Sequence, residues 1–225
     1  MEFDAIILAG GRSSRLGGVP KSGLIFDGAT LLERSLRAAD AAGHIVVVGP
    51  DPGDLPNGVL SCREEPRFAG PAAAIAAGLG ALAASRAGRP GAAAAPPFVL
   101  VLACDMPRAA AAVSALREAV AAVPGADRGG DRTDGVMAVA SDGRKQPLVG
   151  LYSTAALQRC ASDAARRGSL ENASVFALLA RLDVREVSVP PGSTDDVDTW
   201  GDAAALGVSG VIPNPGPGSG PELPS

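Results

Sequence analysis

Four apolar residues, Ala5-Ile6-Ile7-Leu8, run straight into Ala9-Gly10-Gly11. So short and unbroken an apolar run reads as a strand buried on both faces, the kind found in parallel sheets sandwiched by helices. The pattern recurs. Ile45 to Val48 ends at Gly49-Pro50, Val59 to Cys62 follows, and Phe98 to Leu102 is the strongest strand in the chain. Between them lie helical stretches. Thr30-Leu31-Leu32-Glu33 is a capping box that opens one helix, Pro71 to about Ser85 is Ala-rich, and a third helix covers Ala109 to Val123. Val136–Ala140 and Leu148–Tyr152 read as two strands around a turn at Asp142-Gly143. Helices at Thr154–Ala165 and Ser174–Leu182 and a strand at Val184–Val189 close the series. Strands alternating with helices imply an α/β domain with a mainly parallel sheet covered on both faces. Its ligands belong at the carboxyl ends of the strands. That rule puts Leu8–Lys21, Gly49, Glu64, Ala103–Pro107 and Asp196–Asp198 on one rim.

The domain is expected to span residues 1–206. Ser85–Pro97 and Gly125–Gly135 read as loops, and the Pro/Gly/Ser-rich stretch 207–225 as a disordered tail. With 225 residues, 47% of them apolar, the chain is long enough for one sizeable core. A net charge of −4 argues against a nucleic-acid binder. No run approaches the roughly 20 apolar residues of a membrane helix. The N-terminal residues lack a secretory pattern, so a cytoplasmic location is expected. Cys62, Cys104 and Cys160 are widely spaced and form neither a disulfide framework nor a zinc motif. The single histidine, His44, excludes His-rich metal sites and reads as a strand-edge residue.

The chemistry concentrates in Leu8-Ala9-Gly10-Gly11-Arg12-Ser13-Ser14-Arg15-Leu16-Gly17-Gly18-Val19-Pro20-Lys21. Glycines let the backbone approach a ligand, and exposed N–H groups can cradle phosphate oxygens. Arg15 and Lys21 add positive charge against a triphosphate. The Walker A and G-x-G-x-x-G patterns are both absent. A second motif, Val101-Leu102-Ala103-Cys104-Asp105-Met106-Pro107, sets an acid directly after a buried strand. There it either binds Mg²⁺ or caps the next helix. Cys104 beside it reads as a small buried neighbour. In Asp195-Asp196-Val197-Asp198-Thr199, an extended backbone would put 196 and 198 on one side, and a helix start at 198–199 is the competing reading.

Leu-Ala-Gly-Gly-x-Ser-x-Arg-Leu-Gly-x-x-x-Lys resembles the signature loop of nucleotidyltransferases related to the molybdenum cofactor guanylyltransferases. The likeness covers roughly residues 5–206. It implies a three-layer α/β/α, Rossmann-like nucleotidyltransferase fold. It also implies transfer of GMP from GTP to the molybdopterin cofactor, releasing pyrophosphate, with transient contact to molybdoenzymes or their chaperones. On this resemblance Arg15, Lys21 and Asp105 carry catalysis. Leu8, Ala9, Gly10, Gly11, Lys21, Gly49, Glu64, Gly70 and Asp105 bind nucleotide, and Asp105 with Asp198 binds Mg²⁺. Glu64 has an equal reading as an ordinary loop charge. Gly70-Pro71 resembles the family's segment beside the base. Gln146-Pro147-Leu148 resembles its acceptor-side segment, next to Arg144 and Lys145. Two departures bear on subtype. Pro20 replaces the aspartate common before the lysine in the guanylyl branch, as in cytidylyl relatives, and aspartates stand at 196 and 198 where cofactor guanylyltransferases often carry asparagines. A cytidylyltransferase acting on the same cofactor or on a sugar or alditol phosphate therefore remains an alternative. So does a non-catalytic nucleotide-binding protein.

Overall fold

The computed structural model describes residues 1–11, 13–50, 54–87, 94–122 and 133–210. In chain order the strands and helices are β1 (Phe3–Leu8), β2 (Ile25–Phe26), β3 (Ala29–Thr30), α1 (Leu31–Ala38), β4 (Ile45–Val48), β5 (Val59–Cys62), α2 (Pro71–Ala87), β6 (Phe98–Ala103) and α3 (Ala109–Ala121). They continue as β7 (Gly135–Val139), β8 (Lys145–Ser153), α4 (Thr154–Arg166), α5 (Val175–Leu179), β9 (Val184–Ser188) and α6 (Trp200–Leu206). Single 3₁₀ turns at Ser14–Leu16 and Lys21–Gly23 shape the first loop.

Seven strands form one sheet in the order β5-β4-β1-β6-β8-β7-β9, and β2 pairs with β3 in a separate ribbon. β8 is the one strand of the seven that runs against its neighbours, antiparallel to both β6 and β7. Every other pairing in the sheet is parallel. The mainly parallel sheet expected from the sequence is therefore present, with helices on both faces. On one face Ile7, Leu100, Leu102, Leu116 and Val136 form a core with α1 and α3. On the other Ile6, Val46, Val101, Ile75 and Leu157 form a second core with α2, α4 and α5. Period-two alternation along β1 explains the division, because Ile6 and Ile7 point to opposite faces.

The chain leaves β1 towards β4 on one side and leaves β6 towards β8 and β7 on the other. The crevice between the carboxyl ends of β1 and β6 is thus a topological switch point, where open α/β sheets hold their ligands.

A third, small core was not legible from local pattern. Leu16, Leu24, Leu31, Val197, Ala203 and Val208 bury one another, joining the first loop, α1, α6 and the segment before α6. Val208 in this core lies two residues past the boundary expected at 206. Val208 is buried and Ser209 exchanges backbone hydrogen bonds with Ile25. Parts of the two loops and of the tail read from composition (88–93, 125–132 and 211–225) lie outside the described residues, as does Arg12. No helix among the described residues is long and apolar enough to cross a membrane.

Candidate active site

A cavity of about 300 Å³ opens at the switch point, lined by Leu8, Gly10, Gly11, Lys21, Glu64, Phe68, Gly70, Pro71, Ala74, Ala103, Cys104, Asp105 and Leu148. Its floor follows directly from the sheet. The Cys104 N–H donates to the Leu8 carbonyl at 3.0 Å, tying the end of β6 to the end of β1. Pro71 stands at the first position of α2, where its missing N–H leaves nothing unsatisfied. The positive N-terminal end of that 17-residue helix therefore faces the cavity.

Lys21 and Asp105 share this cavity and touch. The Lys21 Nζ donates to Asp105 Oδ2 at 2.9 Å and to Asp198 Oδ1 at 2.5 Å. Burial works against the charged ammonium, but the two carboxylates outweigh it and hold the Lys21 pKa above its ordinary value. Asp198 arrives from far along the chain because the Val197 N–H donates to the Asp105 carbonyl at 3.0 Å while the Val197 side chain is buried in the third core. A helix does start at 198–199 as read, but neither acid caps a helix. Arg108 occupies the N-cap of α3 without a side-chain bond, and Thr199 with Asp202 forms the capping box of α6. Asp105 and Asp198 are thus left to face Lys21.

Asp196 joins them. Carboxylate oxygens of Asp105, Asp196 and Asp198 lie within 4.8 Å of one another. Burial raises the Asp196 pKa, and the charges of Asp105 and Asp198 raise it further. Three converging carboxylates form an all-oxygen donor set of the kind hard divalent cations take. Sequence reading placed 196 and 198 on one side of an extended segment but named Asp198 alone with Asp105; the missing signal was the backbone bond that fixes Val197.

The remaining residues divide. Leu8, Gly10, Gly11, Glu64 and Gly70 line the cavity. Glu64 is buried rather than an exposed loop charge. Its Oε1 accepts from the Phe68 N–H at 3.1 Å, while Oε2 is buried with no hydrogen-bond partner. Ala9 and Gly49 do not line the cavity. Ala9 packs on the first core and its N–H donates to the Val48 carbonyl, and Gly49 backs directly onto Ala9 and Gly10. Arg15 is also displaced from its expected place. Leu16 turns inward into the third core, and Arg15 points into a neighbouring groove of about 460 Å³ with Arg144, Asp195, Asp196 and Asp198. Its guanidinium sits 3.8 Å from Asp198, with the side chain largely exposed. Leu148 reaches the cavity from the Gln146-Pro147-Leu148 segment. Cys104 is buried, and burial pushes its thiol pKa far up, so it is no nucleophile.

A family model described as "MobA-like NTP transferase domain" matches residues 5–186. No curated protein matches the sequence. Among solved structures, the molybdopterin-guanine dinucleotide biosynthesis protein A of Archaeoglobus fulgidus is 18% identical, with 90% of this chain and 96% of that one covered and a TM-score of 0.58. The 2-C-methyl-D-erythritol 4-phosphate cytidylyltransferase of Thermus thermophilus is 21% identical, with 92% and 97% covered and a TM-score of 0.61. Rv0371c of Mycobacterium tuberculosis H37Rv, in complex with manganese, is 21% identical, with 92% and 98% covered and a TM-score of 0.59. At these identities the likeness establishes the fold.

Proposed function

We infer the function from one premise: this chain belongs to the MobA-like NTP transferase family. Nucleotidyl transfer follows from the family. We propose that the nucleotide is GTP and that the acceptor is the phosphate of the molybdenum–molybdopterin cofactor. The observation that carries the reading is one cavity shared by the Gly10-Gly11 loop, Lys21, Glu64 and Asp105.

The acceptor phosphate oxygen attacks the α-phosphorus, the bond from that phosphorus to the β-phosphate bridge breaks, and pyrophosphate leaves. No protein nucleophile is needed, so the chain's work is positioning and charge stabilisation. Backbone N–H groups of the glycine loop are set against the phosphates, with Gly70-Pro71 at the start of α2 beside the base. Lys21 offers a mobile ammonium to the triphosphate. Asp105, Asp196 and Asp198 would hold a divalent cation, which when bound offsets charge on the α-phosphate and the leaving group. Arg15 and Arg144, in the adjoining groove, stand on the acceptor's side.

Glu64 supports guanine. An unpartnered buried acceptor costs about 1–3 kcal/mol, and a ligand that donates to it recovers that loss. Guanine presents two adjacent donors, N1–H and the 2-amino group, to a carboxylate. Cytosine presents one amino group beside an acceptor nitrogen that the carboxylate would repel. A second reading, cytidylyl transfer to the same cofactor or to an alditol phosphate, is favoured by Pro20 before Lys21 and by the fold shared with the Thermus thermophilus enzyme. Pyrophosphate release measured in parallel with GTP and CTP, with molybdenum–molybdopterin and with 2-C-methyl-D-erythritol 4-phosphate as acceptors, tests the choice. The expected result is release with GTP and the pterin cofactor. Preference for CTP overturns it, and nucleotide binding without release on any acceptor returns the chain to a non-catalytic role.

A further inference from the structure

We propose that the Lys21 ammonium is a stand-in cation, occupying the divalent-metal position among the acidic side chains while nucleotide is absent and leaving it when nucleotide arrives. The inference rests on the nucleotide-binding reading above. Lys21 hydrogen-bonds Asp105 and Asp198 at once, at 2.9 and 2.5 Å, and these are two of the three acids that converge within 4.8 Å. An ammonium and a metal ion drawn to the same two carboxylates compete for them. Their like charges repel, and each would strip the other of its ligands.

The site is built for such an exchange. Asp105, Asp196 and Asp198 bring three carboxylates together in a small, half-buried space. Left without a cation, that arrangement would open. The Lys21 backbone is held in a short 3₁₀ turn between Pro20 and the buried Leu24, whose N–H donates to the Lys21 carbonyl. Only the four-carbon stem is free to move, and it carries three rotatable donors. Lys21 lines the nucleotide cavity as well, so a bound triphosphate would offer the ammonium a second anionic partner within reach. Its departure would empty the carboxylates for the metal. By linkage, nucleotide would tighten metal and metal would tighten nucleotide by the same factor.

The test is metal binding, read from the free Mn²⁺ electron paramagnetic resonance signal, with the full chain as wild type, Lys21→Met and Lys21→Arg. Without nucleotide, Lys21→Met is expected to bind Mn²⁺ at least tenfold more tightly than wild type, and Lys21→Arg to stay as weak as wild type. Mn²⁺ should also raise the thermal midpoint of Lys21→Met more than that of wild type. A folded Lys21→Met with unchanged or weaker Mn²⁺ affinity overturns the proposal. If that variant does not fold, the wild type decides. Its Mn²⁺ affinity, corrected for Mn²⁺ held by free GTP, must rise at least tenfold on saturation with GTP, and an unchanged value overturns the exchange. A gain in Lys21→Met together with a wild type that fails to bind GTP keeps lysine as the resident cation and removes the nucleotide reading instead.

Discussion

Replacing Gly49 by alanine tests how the nucleotide loop is held. Gly49 touches no ligand position, yet a Cβ there would lie 2.8 Å from the Ala9 carbonyl carbon and the Gly10 nitrogen, and 2.9 Å from the Ala9 oxygen. Ordinary contact begins at 3.4 Å, so the new atom is about 0.6 Å too close. No flexible side chain stands in the way to yield. The backbone of the loop itself must move, outward into the cavity. Overpacking of this kind costs about 1–3 kcal/mol. For a domain of this size that lowers the thermal midpoint by roughly 2–12 °C. A shift of that order in a substrate-holding loop also lowers turnover, by about tenfold or more. The control is Gly80→Ala, a helical glycine whose added Cβ meets nothing within 4 Å. It should be neutral or stabilising. Thermal unfolding and steady-state pyrophosphate release would be measured on both. Gly49→Ala behaving like Gly80→Ala in the two assays would refute the account of Gly49 as the wall behind the loop.

Three further changes probe the site. Lys21→Ala and Asp105→Ala should each lower turnover by about 100-fold or more, the scale of losing one preorganised electrostatic group; near-normal pyrophosphate release in either removes that residue from the chemistry. Glu64→Gln replaces an acceptor oxygen of the carboxylate with an amide donor and should raise the KM for GTP by about tenfold to 100-fold, from the roughly 1–3 kcal/mol of an unmade buried hydrogen bond, and an unchanged KM contradicts the base reading. Asp196→Asn should raise the thermal midpoint at neutral pH without metal while weakening Mn²⁺ binding. The sign follows from a folded pKa raised above the ordinary 3.8 by burial and by Asp105 and Asp198. The ionised form then burdens the fold, so stability falls as pH rises from 3.8 through the raised value and stays low above it. The gain from Asp196→Asn should therefore vanish below the ordinary carboxylate range, and a gain that persists there rules out this origin.

What the sequence revealed was whatever local pattern encodes. β1, β4, β5 and β6 are short apolar runs, and their ends put Lys21, Glu64 and Asp105 on one rim through strand geometry alone. The pairing of β7 with β8 around Asp142-Gly143 was legible, but the full length of β8 was hidden. Its ladder to β7 shifts register between Met137 and Ala138, so the strand reaches back to Lys145 through Pro147, a residue that signals strand interruption. Helix α5 is shorter than its apolar run, Val175–Leu179 rather than Ser174–Leu182, because burial alone does not separate helix from loop. The greatest gap was the third core. Leu16, Val197 and Val208 look unremarkable in three separate polar segments, and only their mutual burial turns Arg15 outward and brings Asp198 to Lys21. Contacts across so many residues leave no periodic trace.

Everything about the chemistry depends on where a nucleotide and a divalent cation settle. A crystal of the protein grown with a non-hydrolysable GTP analogue and Mn²⁺ addresses that directly. The base edge is expected at the Glu64 carboxylate, the phosphates against Gly10-Gly11 and the Lys21 ammonium, and anomalous Mn²⁺ density between Asp105, Asp196 and Asp198. Analogue density elsewhere on the molecule, or Mn²⁺ bound away from those three carboxylates, would contradict this placement.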